Sequence, residues 1–111
     1  MIAHNNQSQA TVLDENVSRN VLLHHESMML VEFRFKKGGI GHPHSHAQHE
    51  QIGYIVKGVF EVIVGDEKKT LSCGDSYYAG KHEMHGVVAL EDGVIVDTFT
   101  PIREDFLQPP E

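Results

Sequence analysis

Two imidazoles one residue apart, His44 and His46, followed after four residues by the carboxamide of Gln51, are the side chains in this sequence best placed to do chemistry. In extended backbone alternate side chains share a face, so His44 and His46 project together and Ser45 projects the other way. Two nitrogen donors on one face are half of a metal site. A third donor has to come from a neighbouring strand, and the later imidazoles are His82 and His85. A second reactive position lies in Val94-Ile95-Val96-Asp97-Thr98-Phe99, where alternation puts the Asp97 carboxylate on the same face as Ile95 and Phe99. A buried, unpaired carboxylate is costly and is normally compensated by a charge or a metal. Either Asp97 faces a cavity near a cation, or that face of the strand is outside and Asp97 is solvated. Arg103 has a similar pair of options: it can pair with Glu104 or Asp105 at the surface, or its planar fork can grip a carboxylate ligand.

The elements that must position these groups read as β-strands. Val17 to His24 and Met28 to Phe35 are apolar or alternating, and the second run ends at a Lys36-Lys37-Gly38-Gly39 turn. After the histidine loop come Gln51 to Val56, Val59 to Val64 and Lys69 to Ser72, separated by turns at Lys57-Gly58 and Gly65-Asp66-Glu67. Asp75 to Ala79, His82 to Leu90 and Val94 to Thr100 repeat the rhythm, and only Arg103 to Leu107, beyond Pro101, predicts a helical turn. Short strands broken by Gly and Asp turns predict an all-β antiparallel sandwich or barrel. The expected organisation is an N-terminal arm over residues 1–15, one β-barrel domain over 16–107 and a short tail over 108–111.

From Gly38 through His44, His46 and Gln51 to the turn glycine Gly58, the spacing resembles the first motif of the cupin superfamily. The gap to Gly58 fits Gln51, rather than Glu50, at the position that is usually Glu. Gly74 to His85, GDSYYAGKHEMH, resembles the second motif, with Gly80 where proline is usual, His82 where glycine is usual, and His85 at the ligand position. Histidine is among the residues enriched at positive φ, so His82 can stand in for that glycine. The resemblance implies a small jelly-roll β-barrel with a cavity between its sheets. It also implies one divalent transition metal, held by His44, His46, Gln51 and His85. Such neutral ligands would leave the ion nearly its full charge, making it a Lewis acid. Imidazole donors suit Ni, Zn, Fe, Mn or Cu without choosing among them.

A more specific resemblance runs through Ser27 to Gly41, SMMLVEFRFKKGGIG, and Val87 to Leu107, VVALEDGVIVDTFTPIREDFL. These segments are similar to the KdgF-type pectin-degradation cupins, which open the ring of 4,5-unsaturated uronates, and Gln at the fourth ligand position agrees with that group. By this resemblance Asp97, Phe99 and Arg103 belong to the substrate site. Asp97 is the expected general base or proton shuttle, Arg103 the orienting cation, and Phe99 an apolar wall. Tyr54, Tyr77 and Tyr78 carry hydroxyls for a sugar, with Tyr54 the expected substrate contact. The other readings are an Fe(II)-dependent cupin dioxygenase and a non-catalytic sugar-binding cupin; the neutral Gln51 weighs against the first. His42 and His49 flank the site as outer donors or as solvated loop residues.

Composition bounds the partners. The 111 residues carry 16 acidic and 9 basic side chains, a net charge of −7, which disfavours nucleic acid and anionic membranes because both need a basic footprint. A small anionic sugar acid is the expected partner. The start, MIAHNNQSQA, lacks the basic and apolar stretches of a signal peptide, so a cytoplasmic protein is expected. The single cysteine, Cys73, has no internal partner and reads as a structural or incidental thiol. Edge strands in so short a chain need covering, which together with cupin habit predicts a homodimer.

Overall fold

A computed structural model describes residues 1–107; the tail expected over 108–111 lies outside the described residues. Its strands are β1 (Thr11–Val12), β2 (Val17–His25), β3 (Met28–Phe35), β4 (Ile40–His44), β5 (Glu50–Lys57), β6 (Val59–Val64), β7 (Glu67–Ser72), β8 (Ser76–Ala79), β9 (His85–Ala89) and β10 (Gly93–Thr100). They form a six-stranded sheet in the order β1-β2-β3-β10-β5-β8 and a four-stranded sheet in the order β4-β9-β6-β7, with antiparallel pairing throughout. This is the expected jelly roll, with two facing sheets in place of a strictly closed barrel. Short 3-10 turns at Gln7–Gln9 and Glu104–Leu107 complete it, and among the described residues no helix is long and apolar enough to cross a membrane.

The two sheets are held together where their inward faces are apolar. Val17, Phe35, Ile55, Phe60, Val62, Ala89 and Ile95 form one buried cluster, with Phe35 and Phe60 edge to face at 5.2 Å between ring centroids. Met29, Val31 and Phe99 form a second, against which Phe106 of the last turn packs. Burying a side chain such as Phe60 contributes about 1.5–3 kcal/mol, and cutting it back to alanine would cost about 3–5 kcal/mol. The β5–β6 turn depends on Gly58, whose φ is 89° and whose missing side chain leaves room for the Asp92 carbonyl, 2.5 Å from where a Cβ would stand. Only glycine combines that backbone with that approach.

Two expectations shift. The histidine loop begins as a strand, because Ile40 and Gly41 pair with Val88 and Val87, and a register shift between Gly41 and His44 then brings His44 opposite His85. The strand read as starting at His82 starts at His85 instead: His82 adopts φ 65°, and the Gly80 N–H is capped by the Glu83 carboxylate at 3.1 Å, making a turn there. The N-terminal arm is also not free. Asn5 and Gln7 donate to the buried Glu32 carboxylate at 3.1 and 2.6 Å, and β1 pairs with β2.

Candidate functional site

The imidazoles meet at the mouth of the space between the sheets. The ligand atoms of His44, His46 and His85 all lie within 4.8 Å of one another, although His46 comes from the loop after β4 rather than from the strand itself. Backbone carbonyls fix two of the rings. His44 Nδ1 lies 2.6 Å from the His42 carbonyl, and His85 Nδ1 lies 3.0 Å from the Glu83 carbonyl. A carbonyl only accepts, so each Nδ1 carries the proton and each Nε2 presents a lone pair.

His46 Nε2 stands 3.1 Å from the lone pair of His44 Nε2 and 3.3 Å from Arg103 Nη1, so two nitrogen acceptors crowd and repel each other there. A cation between the rings relieves that repulsion. A shared proton would do so too, but burial, assisted by the Arg103 charge, holds the pKa of His46 down at about 4. Burial also lowers that of His85.

Gln51 completes the donor set. Its Nε2 donates to Asp97 Oδ1 at 3.2 Å, which turns the amide oxygen the other way. Gln51 Oε1 and His85 Nε2 are both buried and have no hydrogen-bond partner among the described residues. Leaving two such atoms unsatisfied costs about 1–3 kcal/mol each. Both residues line one cavity of about 570 Å³, together with His44 and Asp97. Orphaned oxygen and nitrogen acceptors beside two further imidazole lone pairs fit a divalent transition metal.

Behind this corner lies a carboxylate whose surroundings are built for it. Ile95, Asp97 and Phe99 all face inward, with Asp97 only 4% exposed, so the cavity alternative is the one observed. Tyr77 on β8 donates to Asp97 Oδ1 at 2.9 Å, alongside the Gln51 amide. Burial drives the Asp97 pKa up to about 7, against the lowering effect of those two hydrogen bonds. The Tyr77 hydroxyl, buried beside Asp97, is pushed well above its ordinary value. Gly53 makes the arrangement possible: it pairs with both Asp97 and Tyr77, and a Cβ there would stand 2.3 Å from the Tyr77 ring and 2.6 Å from Asp97 Oδ1.

Arg103 takes the Asp105 option while its guanidinium still faces the cavity. It forks onto Asp105 through Nε at 3.0 Å and Nη2 at 2.8 Å, holding that carboxylate below its usual range, while Nη1 reaches His46 and the guanidinium lines the cavity. Phe99 lies beneath it, with the Arg103 guanidinium carbon 5.4 Å from the ring centroid. His49 bonds the Ile102 carbonyl at 3.1 Å and stacks edge-on against His46, bracing the loop. His42 contributes its carbonyl rather than its ring.

Tyr54 is a correction. The β5 alternation that buries Gln51, Gly53 and Ile55 turns Ile52, Tyr54 and Val56 outward, and Tyr54 is 49% exposed on the far side of the sheet from the cavity. Tyr77 is the tyrosine that enters the site. Its signal in the sequence was weak, because it required knowing that β8 pairs with β5 so that Tyr77 lies over a glycine. Arg19 and Phe106 also line the cavity without having been expected there. For Arg19 a signal existed: it interrupts the inward series Val17, Arg19, Val21.

Comparison with known proteins places this geometry among relatives. Residues 31–99 match the cupin domain family. The chain is 48% identical over 96 residues to the pectin degradation protein KdgF of Dickeya dadantii (strain 3937), covering 86% of this chain and 87% of that protein. The solved structure of KdgF from a Halomonas species superimposes with a TM-score of 0.90 at 39% identity, over 96% of this chain and 99% of the other. An RmlC-like cupin from Shewanella frigidimarina gives 0.85 at 36% identity, over 92% and 93%.

Proposed function

This chain belongs to the KdgF family of cupins, and from that premise we propose that it opens the ring of 4,5-unsaturated monouronates released in pectin breakdown, giving the open-chain keto-aldehyde. One observation carries the reading: a buried carboxylate poised near neutrality shares a cavity with two orphaned metal-donor atoms and a guanidinium. His44, His46, Gln51 and His85 would hold the metal, which when bound supplies Lewis acidity for a developing oxyanion.

Asp97 acts as the base. Its Oδ1 is fixed by Tyr77 and Gln51, and its Oδ2 takes no hydrogen bond among the described residues. In the cyclic substrate the ring oxygen joins the anomeric carbon to the enol carbon beside the carboxylate. Removal of the anomeric hydroxyl proton forms the aldehyde and breaks the bond from the anomeric carbon to the ring oxygen, which leaves as an enolate. Protonation at carbon 4 then yields the ketone. The proton that Asp97 takes up is available for that return, and no electrons are exchanged with an outside partner. A group with a pKa near the working pH serves both transfers, a contribution of about 10²–10⁴ in rate. Phe99 forms the apolar wall and Arg103 the positive wall against which an anionic sugar lies.

The test follows the ultraviolet absorbance of unsaturated galacturonate with metal-loaded protein, chelated protein and Asp97→Asn in parallel. Loss of absorbance with the first alone is expected; equal rates in all three would overturn the reading. Oxygen uptake in the same assay would instead point to an Fe(II) dioxygenase, and saturable binding without absorbance change to a binding module. The reading includes a homodimer, which the outward Ile52, Tyr54, Val56 and Tyr78 support, and light scattering that returned a 12.4 kDa particle would remove it. A cytoplasmic site of action belongs to it as well, and cell fractionation tests that.

A further inference from the structure

The cavity contains a second guanidinium that the ring-opening scheme leaves unused. Arg19 sits on β2 at an inward position between Val17 and Val21, where alternation would otherwise place an apolar side chain. Its guanidinium carbon lies 3.9 Å from the centroid of Phe106, and that of Arg103 lies 4.1 Å from the same ring. Phe106 is itself fixed edge-on by Phe99 at 5.6 Å and by Phe33 at 6.2 Å. A guanidinium held over a ring face is positioned by the ring while its N–H donors stay available to an anion.

The two arginines differ in what those donors do. The Nε–Nη2 edge of Arg103 is already occupied by the Asp105 carboxylate, and its Nη1 is turned to His46. Arg19 makes no hydrogen bond or ion pair among the described residues, whose ion pairs involve His25, Arg34, Lys68 and Arg103. Burial disfavours its charged form, with Asp105 the nearby acidic influence that supports the charge. In a chain of net charge −7, an inward and unpaired guanidinium on the wall of the cavity that holds the metal donors is a group awaiting an anion.

We propose that Arg19 is a substrate-binding residue that grips the uronate carboxylate with the two-pronged edge that Arg103 has committed to Asp105. The assignment rests on the uronate reading given above. Arg103 then serves as a fixed strut between the loop of His46 and the last turn, while Arg19 supplies the directional recognition of a planar anion. A neutral sugar of the same shape offers no carboxylate to this fork, so Arg19 separates acid from neutral sugar.

The experiment uses metal-loaded full-length protein and the variants Arg19→Gln and Arg19→Lys. Steady-state ring opening of unsaturated galacturonate is measured beside calorimetric binding of galacturonate and of galactose. Loss of a charged, two-pronged contact in Arg19→Gln is expected to raise KM about 10- to 100-fold with kcat within about threefold, and to weaken galacturonate binding in parallel. Galactose binding and metal content should stay as in the parent. Arg19→Lys keeps the charge without the fork and should fall between; should Arg19→Gln fail to fold, this variant decides, a KM raised severalfold supporting the assignment and an unmoved KM overturning it. An unchanged KM in Arg19→Gln, a loss confined to kcat, or equal weakening of galactose and galacturonate would each overturn it. A parent protein that opens unsaturated galacturonate while Arg19→Gln retains its KM removes only Arg19. A parent that neither binds galacturonate nor opens the unsaturated sugar removes the uronate reading and this inference together.

Discussion

Each face of the six-stranded sheet carries a few residues that ordinary expectation would put on the other. The inward face carries Arg19, Gln51 and Asp97 among its apolar residues, whereas the outward face of β5 and β8 carries Ile52, Tyr54, Val56 and Tyr78. A buried ionisable group is costly unless it is compensated, and an exposed apolar side chain is nearly neutral. The inward polar groups are therefore the ones that need a reason. For Asp97 and Gln51 the reason is mutual support: Gln51 and Tyr77 both donate to Asp97, and Gly53 leaves room for Tyr77 and Asp97, while Arg19 is accounted for by the anion proposed above. Among the described residues no side-chain hydrogen bond holds Tyr54 or Tyr78 in this way.

Asp97→Asn should produce the largest effect on this contrast: ring opening falls by about 10²–10⁴ while metal content stays, as read by absorbance and metal analysis on the same sample. Undiminished turnover would place the chemistry elsewhere on the inward face. Gly53→Ala comes next. A methyl group inside the contact distance of Tyr77 and Asp97 must push one of them aside, so about 1–3 kcal/mol of stability and up to about 10²-fold in rate should be lost. A variant with parental melting temperature and rate would show that the slot is not needed.

A smaller effect concerns pH. In metal-free protein the Asp97 pKa of about 7 lies above its unfolded value, so the folded state binds the extra proton between the two. Stability from this group is complete below about pH 4 and is lost as pH rises through about 7, by at most about 1.4 kcal/mol per pH unit. Chemical denaturation of the chelated protein from pH 5 to 8 should show that downward slope, and Asp97→Asn should flatten it; identical slopes would mean that Asp97 is already ionised. The smallest effect is expected on the outward face, where Tyr54→Phe should leave kcat and KM within about twofold and stability within about 0.5 kcal/mol. A tenfold rise in KM would bring Tyr54 back into the substrate site.

How much of this was legible in the chain depends on how local each signal is. Met28–Phe35 and Val59–Val64 are strands with the bounds their alternation predicted, because period and flanking turns are both properties of neighbours in sequence. The inward direction of Asp97 followed from the same period once its strand was buried on that face. The meeting of His44 and His46 was expected from the same period, but the structure reaches it by another route, with His46 in the loop after β4 and its ring beside Arg103, 57 residues later. Tyr54 was misplaced for a related reason: alternation says that Gln51 and Tyr54 face oppositely, but the hydroxyl invited a role that the register forbids.

The sequence by itself determined the strand rhythm, the spacing of the histidines, the glutamine in place of an acid, and the acidic balance of charge. Those are properties of residue type and near-neighbour order. Only the tertiary structure decided which tyrosine reaches Asp97, that Gly53 must be bare, and that Arg103 is held by Asp105 while Arg19 makes no hydrogen bond or ion pair among the described residues. Each of those depends on which strands lie side by side, and pairing between distant segments is set by the packing of the whole sheet rather than by any one stretch of it.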